Sequence, residues 1–209
     1  MRSITAALAA ALSLGACGGA SNAAMQTSPH PATTAQPEPS AVARARADSV
    51  RRPYTAADIH FMTAMIGHHS QAILMAGWAP SHGASPSVRT LASRIVNAQE
   101  DEIGTMQRWL RDRLQPVPQG TEHTMLMPGM LTGAQLAELD RARGEQFDIL
   151  FLRFMIQHHR GAVSMVRDLF GSRGAAQDEI VFKFANDVNV DQTTEIARME
   201  HMLASLTFE

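Results

Sequence analysis

The sequence contains little of what several fold and function classes require. Its 209 residues include one cysteine, Cys17, so the chain can form neither an internal disulfide framework nor a cysteine-rich zinc site. Aromatic residues make up 5% of the chain, which disfavours a strand-rich sandwich because strands are rich in aromatic and β-branched residues. A net charge of −2 provides no basic surface for a phosphate backbone, so nucleic-acid binding is not expected.

Motifs that carry catalysis are missing as well. The sequence has no His-Glu-x-x-His motif, no Gly-x-Ser-x-Gly nucleophile motif and no glycine-rich loop that could bind phosphate. It also lacks the Glu-x-x-His pairs on which carboxylate-bridged di-iron bundles depend. We therefore expect no catalytic residue and no small-molecule substrate, and we keep a metal-dependent redox enzyme as an alternative.

The N-terminal residues predict export and anchoring. Residues 1–16 combine a basic start with an apolar run too short to cross a bilayer, as in a secretory signal peptide. The run that ends at Cys17 resembles the bacterial lipobox, which implies lipid attachment to that cysteine and a place in the bacterial cell envelope, facing the periplasm. An ordinary signal peptide is the alternative. Residues 17–53 are rich in Ala, Ser, Thr and Pro and predict a flexible tether.

Residues 54–209 predict an all-α domain, because apolar residues recur at steps of three and four. Capping boxes are predicted at Thr55 and Thr132, and a serine cap followed by proline at Ser85. The long helices are expected to begin near Thr55, after Ser85, after Gly144 and at Ala175.

The domain repeats itself. A shift of 90 residues aligns the segment from Asp58 to Met75 with the segment from Asp148 to Met165, with identical residues at nine positions. The halves are residues 54–113 and 132–206, joined by a Met-rich link over residues 114–131. Each half is one helical hairpin that cannot bury its apolar face alone, so we predict a four-helix bundle built from two related hairpins.

Both halves contain the spacing Met-x-x-His-His-x-x-Ala-x-x-Met. His68 and His158 lie on the apolar stripes, and the next histidine of each pair points about 100° away. A single stripe histidine would indicate ordinary core packing, but the repeat favours a ligand set. Core packing retained after duplication is the alternative. Imidazole and thioether groups together select soft ions, above all Cu(I). The predicted ligands are His68, His69, Met65, Met75, His158, His159, Met155 and Met165.

Polar residues interrupt the apolar faces of the second and fourth helices. They are Gln99 and Glu102, with their repeat equivalents Gln192 and Glu195. Burying them without partners would cost a few kcal/mol, so we expect them to orient the stripe histidines by hydrogen bonding. The alternative is hydrogen bonding to neighbours on their own helix.

The link offers a second candidate site, consisting of His123, Met125, Met127 and Met130. Its thioethers and imidazole again suit Cu(I). The alternative is a Met-rich loop that packs on the end of the bundle.

These motifs resemble the domain-of-unknown-function 305 family over about residues 54–206. The resemblance rests on Met65-Ile66-Gly67-His68-His69, on its second copy and on Met127-Pro128-Gly129-Met130. It implies a ferritin-like, all-helical fold, and the family includes CopM-like copper-binding envelope proteins. The expected function is therefore an envelope-anchored protein that binds copper, Cu(I) in preference, for buffering, sequestration or delivery. A non-metal helical interaction module is the alternative, and homo-oligomer formation is left open.

Overall fold

The computed structural model describes residues 40–51, 53–118 and 126–207 of the chain. Within these ranges the protein is all-helical, which confirms the predicted fold class. No helix of the described ranges is both long and apolar enough to cross a membrane. The predicted signal peptide and Cys17 lie outside the described residues. The helices are α1 (Ala41–Arg51), α2 (Ala56–Gly77), α3 (Pro86–Asp112), α4 (Gly133–Arg141), α5 (Gly144–Gly171) and α6 (Glu179–Thr207).

Local capping interactions set the starts of the first helices of the bundle. Thr55 and Asp58 form the predicted capping box of α2, and Thr132 and Gln135 form that of α4. Helix α3 begins, as predicted, at a serine cap followed by proline. These caps satisfy backbone N–H groups that have no acceptor within the helix, so the local sequence decides where each helix begins.

Helix α6 begins later than the sequence predicted. The predicted start was Ala175, whereas the helix begins at Glu179. Ala176 has a left-handed φ of 55°, which excludes it from a right-handed helix. The Asp178 carboxylate accepts the backbone N–H of Ile180 at 3.0 Å and thus acts as the cap. The contact that holds Ala176 in this conformation comes from the other half of the chain, which local patterns do not reveal.

Part of the predicted flexible tether is helical. Helix α1 covers Ala41–Arg51, and the Ser40 hydroxyl accepts the N–H of Ala43 at 3.2 Å. Alanine and arginine dominate this stretch and have high helix propensity. Ala45 is buried, and α1 packs against α3. The tether prediction is therefore wrong for residues 41–51, where the sequence shows no apolar periodicity but has residues that favour a helix.

The bundle consists of two hairpins that hold each other's loops. Helix α2 packs against α3, α5 packs against α6, and the hairpins meet through α2 and α5. Asp58 on α2 accepts the N–H of Ala176, in the loop before α6, at 2.7 Å. Asp148 on α5 accepts the N–H of Ser85, in the loop before α3, at 3.1 Å. The repeated aspartates thus fix one hairpin against the other.

The buried apolar residues form two separate clusters, here called the first cluster and the second cluster. Helix α2 contributes residues up to Ile66 to the first cluster and residues from Ala72 onward to the second. Helix α5 contributes in the opposite order, with residues up to Ile156 in the second cluster and residues from Ala162 onward in the first. The two helices therefore run antiparallel, and both His-His motifs lie where the clusters meet.

Candidate metal centre

A pair of histidines in ring contact occupies the middle of the bundle. The ring centroids of His68 on α2 and His158 on α5 lie 3.8 Å apart, with ring planes inclined by 39°. Both side chains are fully buried. Because the two positions are equivalent in the repeat and their helices run antiparallel, they meet where the helices cross. The structure thus brings two of the predicted ligands into direct contact.

The second histidine of each motif turns toward a glutamate within its own hairpin. Nε2 of His159 donates a hydrogen bond to Glu195 at 2.7 Å. Nε2 of His69 lies 2.8 Å from Oε2 of Glu102, although off the line of an ideal hydrogen bond. Adjacent helical side chains point about 100° apart, so these rings face α6 and α3 rather than the central pair. The sequence predicted the stripe histidines as partners of the glutamates, and that prediction is wrong.

Several buried ring nitrogens have no hydrogen-bond partner among the described residues. They are Nδ1 of all four histidines, Nε2 of His158, and Nε2 of His69, which lies beside Glu102 without hydrogen-bond geometry. Nε2 of His68 donates to the carbonyl oxygen of Pro128 at 3.0 Å. A carbonyl only accepts, so the proton of neutral His68 is on Nε2 and its Nδ1 presents a free lone pair.

The central histidines are neutral bases. Burial lowers the pKa of His68 to about 3, with a further decrease from the positive charge of His69, and only the hydrogen bond to Pro128 opposes the shift appreciably. Burial also lowers the pKa of His158 well below its ordinary value, and the charges of His68, His159 and His69 act in the same direction. Neutral imidazole is the form that binds metal ions. Proton competition for these nitrogens is therefore weak at neutral pH.

The predicted thioethers lie on both sides of the histidine pair. Met65 and Met165 belong to the first apolar cluster, and Met155 and Met75 belong to the second. This distribution follows from the antiparallel helices, because the methionine before one histidine motif lies at the same end as the methionine after the other. The predicted thioethers are therefore divided between the two clusters, and the imidazoles lie where the clusters meet.

The link contributes differently from the prediction. Met127 packs against the first cluster, and Met130 is partly buried outside both clusters. His123 and Met125 lie outside the described residues. The described part of the link therefore adds a thioether to one side of the bundle centre.

Glycine allows the link to reach the histidine pair. A Cβ atom on Gly161 would lie 1.9 Å from the carbonyl oxygen of Pro128, so only glycine fits at that position of α5. Gly129 next to it has a φ of 78°. On the other side Gln71 accepts the N–H of Leu131 at 2.7 Å and donates to its carbonyl at 3.1 Å.

Sequence analysis did not identify the contacts that hold the link. The available signal was a difference between the halves, because Gln71 and Gly161 are equivalent positions of the 90-residue repeat. In the first half the residue at this position binds the link through hydrogen bonds. In the second half the residue at this position leaves space for the link backbone.

The two predicted glutamines do not contact the histidines through any hydrogen bond of the described structure. Gln99 and Gln192 are buried, and Oε1 of the first and both amide atoms of the second have no partner among the described residues. They line a cavity of about 230 Å³ between α3 and α6, together with Asp191. Burial, followed by repulsion from Glu102, Asp187 and Glu195, raises the pKa of Asp191. The prediction that these glutamines orient the stripe histidines is not supported by their contacts.

The donor set of the centre is imidazole and thioether. In the ranges that the structure describes, no three His, Cys, Asp or Glu side chains converge into a group able to hold a metal ion. An ion at the centre would therefore depend on unpartnered imidazole nitrogens together with methionine sulfur. Such a set fits a soft ion and does not fit a carboxylate-bound one.

Comparison with known proteins relates the chain to a helical family. Residues 58–203 match DUF305, a domain of unknown function. The fold is similar to that of a DUF305 protein from Streptomyces coelicolor described as secreted, with a TM-score of 0.63 and 28% identity over 72% of this chain and 93% of that one. A DUF305 fragment from Deinococcus radiodurans gives a TM-score of 0.63 and 30% identity over 73% of this chain and 98% of that one.

The solved structures that are similar to this chain also include copper-bound ones. CopM in its Cu(I)-bound form has a TM-score of 0.58 and 30% identity, covering 72% of this chain and 97% of that one. Similar structures of CopM hold Cu(II) and silver. Among curated proteins, a 56-residue stretch is 36% identical to uncharacterized protein L153 of Acanthamoeba polyphaga mimivirus. That match covers 27% of this chain and 37% of the viral protein.

Proposed function

The chain belongs to the DUF305 family, and from this premise we propose that it is a copper-binding protein whose buried imidazoles and thioethers hold Cu(I). The observation that carries the proposal is the contact between His68 and His158. Two neutral imidazoles meet in an apolar interior, and their Nδ1 atoms have no partner among the described residues. An unpartnered buried polar atom is costly, so a ligand that engages these lone pairs stabilises the fold.

The chemistry of the surrounding side chains supports Cu(I). Methionine sulfur is soft and polarisable, and the first cluster supplies Met65 and Met165 while the second supplies Met155 and Met75. The apolar surroundings favour an ion of low charge, since transferring a divalent ion from water into such an interior costs more free energy. The similarity to CopM in its copper- and silver-bound forms is consistent with a soft-metal site.

The proposed location is the cell envelope, with the mature chain anchored through lipid on Cys17. The signal-like residues 1–16 and the similarity to the secreted Streptomyces coelicolor protein support export. Methionine ligands suit an oxidising compartment, where free thiolates would be lost to disulfides. Labelling cells with a radioactive fatty acid tests the anchor. We expect the wild-type chain to take up label and Cys17→Ser to take up none. Equal labelling of the two would contradict the anchor.

The metal proposal is tested by Cu(I) titration of the full chain against a competing chelator. His68→Leu/His158→Leu removes the imidazole pair and fills the space with apolar side chains, and we expect it to lower Cu(I) affinity at least about tenfold, which corresponds to about 1.4 kcal/mol. The matched control is His201→Ala, because that histidine is exposed on α6. Equal affinity of the double variant and the wild type would remove the bundle site from consideration.

The titration also separates the alternatives. If Met127→Leu/Met130→Leu abolishes binding while the histidine variant retains it, the link is the copper site. If copper neither binds nor raises the melting temperature of the wild type, the non-metal interaction module is the better description, since a ligand that binds only the folded state must stabilise it.

A further inference from the structure

Helices α3 and α6 leave a space between them. A cavity of about 230 Å³ is lined by side chains of these two helices alone, and a larger one of about 740 Å³ adjoins it at Glu102. The other neighbouring helix pairs, α2 with α3, α5 with α6 and α2 with α5, pack against each other. The smaller cavity is therefore an opening in the side of the bundle that α3 and α6 form.

The link covers the side that α2 and α5 form. Its backbone lies so close to Gly161 on α5 that a Cβ atom there would meet the carbonyl oxygen of Pro128 at 1.9 Å. On α2, Gln71 exchanges two hydrogen bonds with the backbone of Leu131. The buried His68 is thus closed off by tightly packed backbone on this side.

Two glutamates join the smaller cavity to the buried imidazoles. Glu102 and Glu195 both line it, and their side chains are 20% and 26% exposed. Oε2 of the first lies 2.8 Å from Nε2 of His69, and Oε2 of the second lies 2.7 Å from Nε2 of His159. Each glutamate therefore reaches the cavity and also contacts a fully buried ring.

The second histidine of each motif completes the path to the central pair. The ring centroids of His68 and His69 are 6.4 Å apart, and those of His158 and His159 are 6.3 Å apart. Nδ1 of all four rings lacks a partner within the described structure. Polar groups thus follow one another from the cavity to the centre, whereas apolar side chains of the first and second clusters lie toward the two ends of the bundle.

The charges along this path suit the passage of an ion. Moving a cation from water into an apolar interior is costly, and nearby carboxylates and imidazole lone pairs reduce that cost. Arg94 and Arg198 line the same cavity, and their charges disfavour a cation that stays there. The cavity is therefore better suited to transit than to storage.

We propose that copper enters and leaves the buried centre through the smaller cavity, past Glu102 and Glu195 and then past His69 and His159. This inference rests on the proposed copper function and goes beyond it, because the ligand set of the centre does not specify a route. The glutamates lower the cost of transferring the ion out of water, and the outer histidines pass it to the central pair.

Side chains that block the cavity test the route without removing a predicted ligand. Ala98 on α3 and Thr194 on α6 are exposed and line the smaller cavity, so Ala98→Trp and Thr194→Trp each obstruct it from one helix. Ala197→Trp is the matched control, because this alanine is exposed on α6 and lines neither cavity. Stopped-flow mixing of the full chain with a coloured Cu(I)–chelator complex measures uptake, and mixing of the loaded chain with excess chelator measures release.

We expect each blocking variant to slow uptake and release alike, by about tenfold or more, and Ala197→Trp to match the wild type. Affinity is the ratio of the two rates, so it should stay unchanged. Wild-type rates in both blocking variants, equal slowing in the control, or slower uptake without slower release would overturn the route while leaving the copper site in place. If the wild type binds no Cu(I), the route and the proposed function both fall.

Discussion

The Nε2–H of His68 donates to the carbonyl oxygen of Pro128 across 3.0 Å, whereas Nε2 of the repeat-equivalent His158 has no partner among the described residues. A site built from two nearly identical motifs is therefore asymmetric. One ring has its proton position fixed by the link, and the other can present either nitrogen to a ligand. The link between the halves thus enters the candidate site and does more than connect two hairpins.

The first prediction concerns the glycine that admits the link. Gly161→Ala would place a Cβ atom 1.9 Å from the Pro128 carbonyl oxygen, a backbone atom that cannot rotate away. We expect a loss of about 1–3 kcal/mol in the free energy of unfolding, as for overpacked positions, measured by urea denaturation. The control is Gly171→Ala at the end of the same helix, where a Cβ meets nothing within 4 Å. Equal stability of the two variants would show that the link does not rest on α5.

The second prediction is an acid destabilisation of the copper-free protein. His68 and His158 are held neutral in the folded state, with the pKa of His68 at about 3. In the unfolded chain they take up protons below about pH 6.5. The unfolded state then binds more protons, so stability falls as pH decreases below that value, by up to about 1.4 kcal/mol per histidine per pH unit.

Urea denaturation at several pH values between 5 and 7 measures this dependence. His68→Leu/His158→Leu should show a flatter pH profile than the wild type, because the groups that drive the proton uptake are gone. A wild-type profile as flat as that of the variant would contradict the neutral, buried state of the pair.

The third prediction concerns the thioethers that flank the pair. Met65→Leu/Met155→Leu keeps the volume and apolar character of the side chains, so the cost in stability should stay below about 1.5 kcal/mol per site. The loss of two soft ligands should lower Cu(I) affinity about tenfold or more. Met62→Leu is the control, since Met62 is equally buried on α2 but is not part of the repeated motif. If this control loses as much affinity as the double variant, methionine at the motif positions has no special role.

How much could be predicted from the sequence depends on how local each signal is. The capping boxes at Thr55 and Thr132 each depend on four consecutive residues, and both are present in the structure. The packing of the two halves against each other follows from the repeat, since neither hairpin buries its stripe alone. The ligand roles of the His and Met residues stay predictions.

Interactions between distant segments could not be predicted in the same way. The pairing of His69 with Glu102 depends on the rotation of α2 against α3, and the periodicity of one helix does not specify that rotation. The contact between Pro128 and His68 joins residues 60 positions apart. No spacing rule identifies such a contact, and only the difference between Gln71 and Gly161 in the repeat indicated that something approaches there.

The last prediction concerns the buried ion pair between Arg113 and Asp178. Arg113 donates to Asp178 at 2.5 Å with both side chains buried, and the same carboxylate accepts the Trp109 indole N–H at 3.1 Å. Asp178→Ala would leave the guanidinium buried without its counter-charge and would remove the cap of α6. We expect a loss of about 3–5 kcal/mol in the free energy of unfolding, measured by urea denaturation.

The matched comparison is Glu200→Ala, which breaks the exposed pair between Arg160 and Glu200. Solvent screens that pair, so its removal should cost less than about 1 kcal/mol. High salt should reduce the smaller effect and leave the larger one nearly unchanged, because screening acts on exposed charges and hardly reaches buried ones. Similar costs for the two variants would mean that Arg113 finds water or another partner when the aspartate is lost.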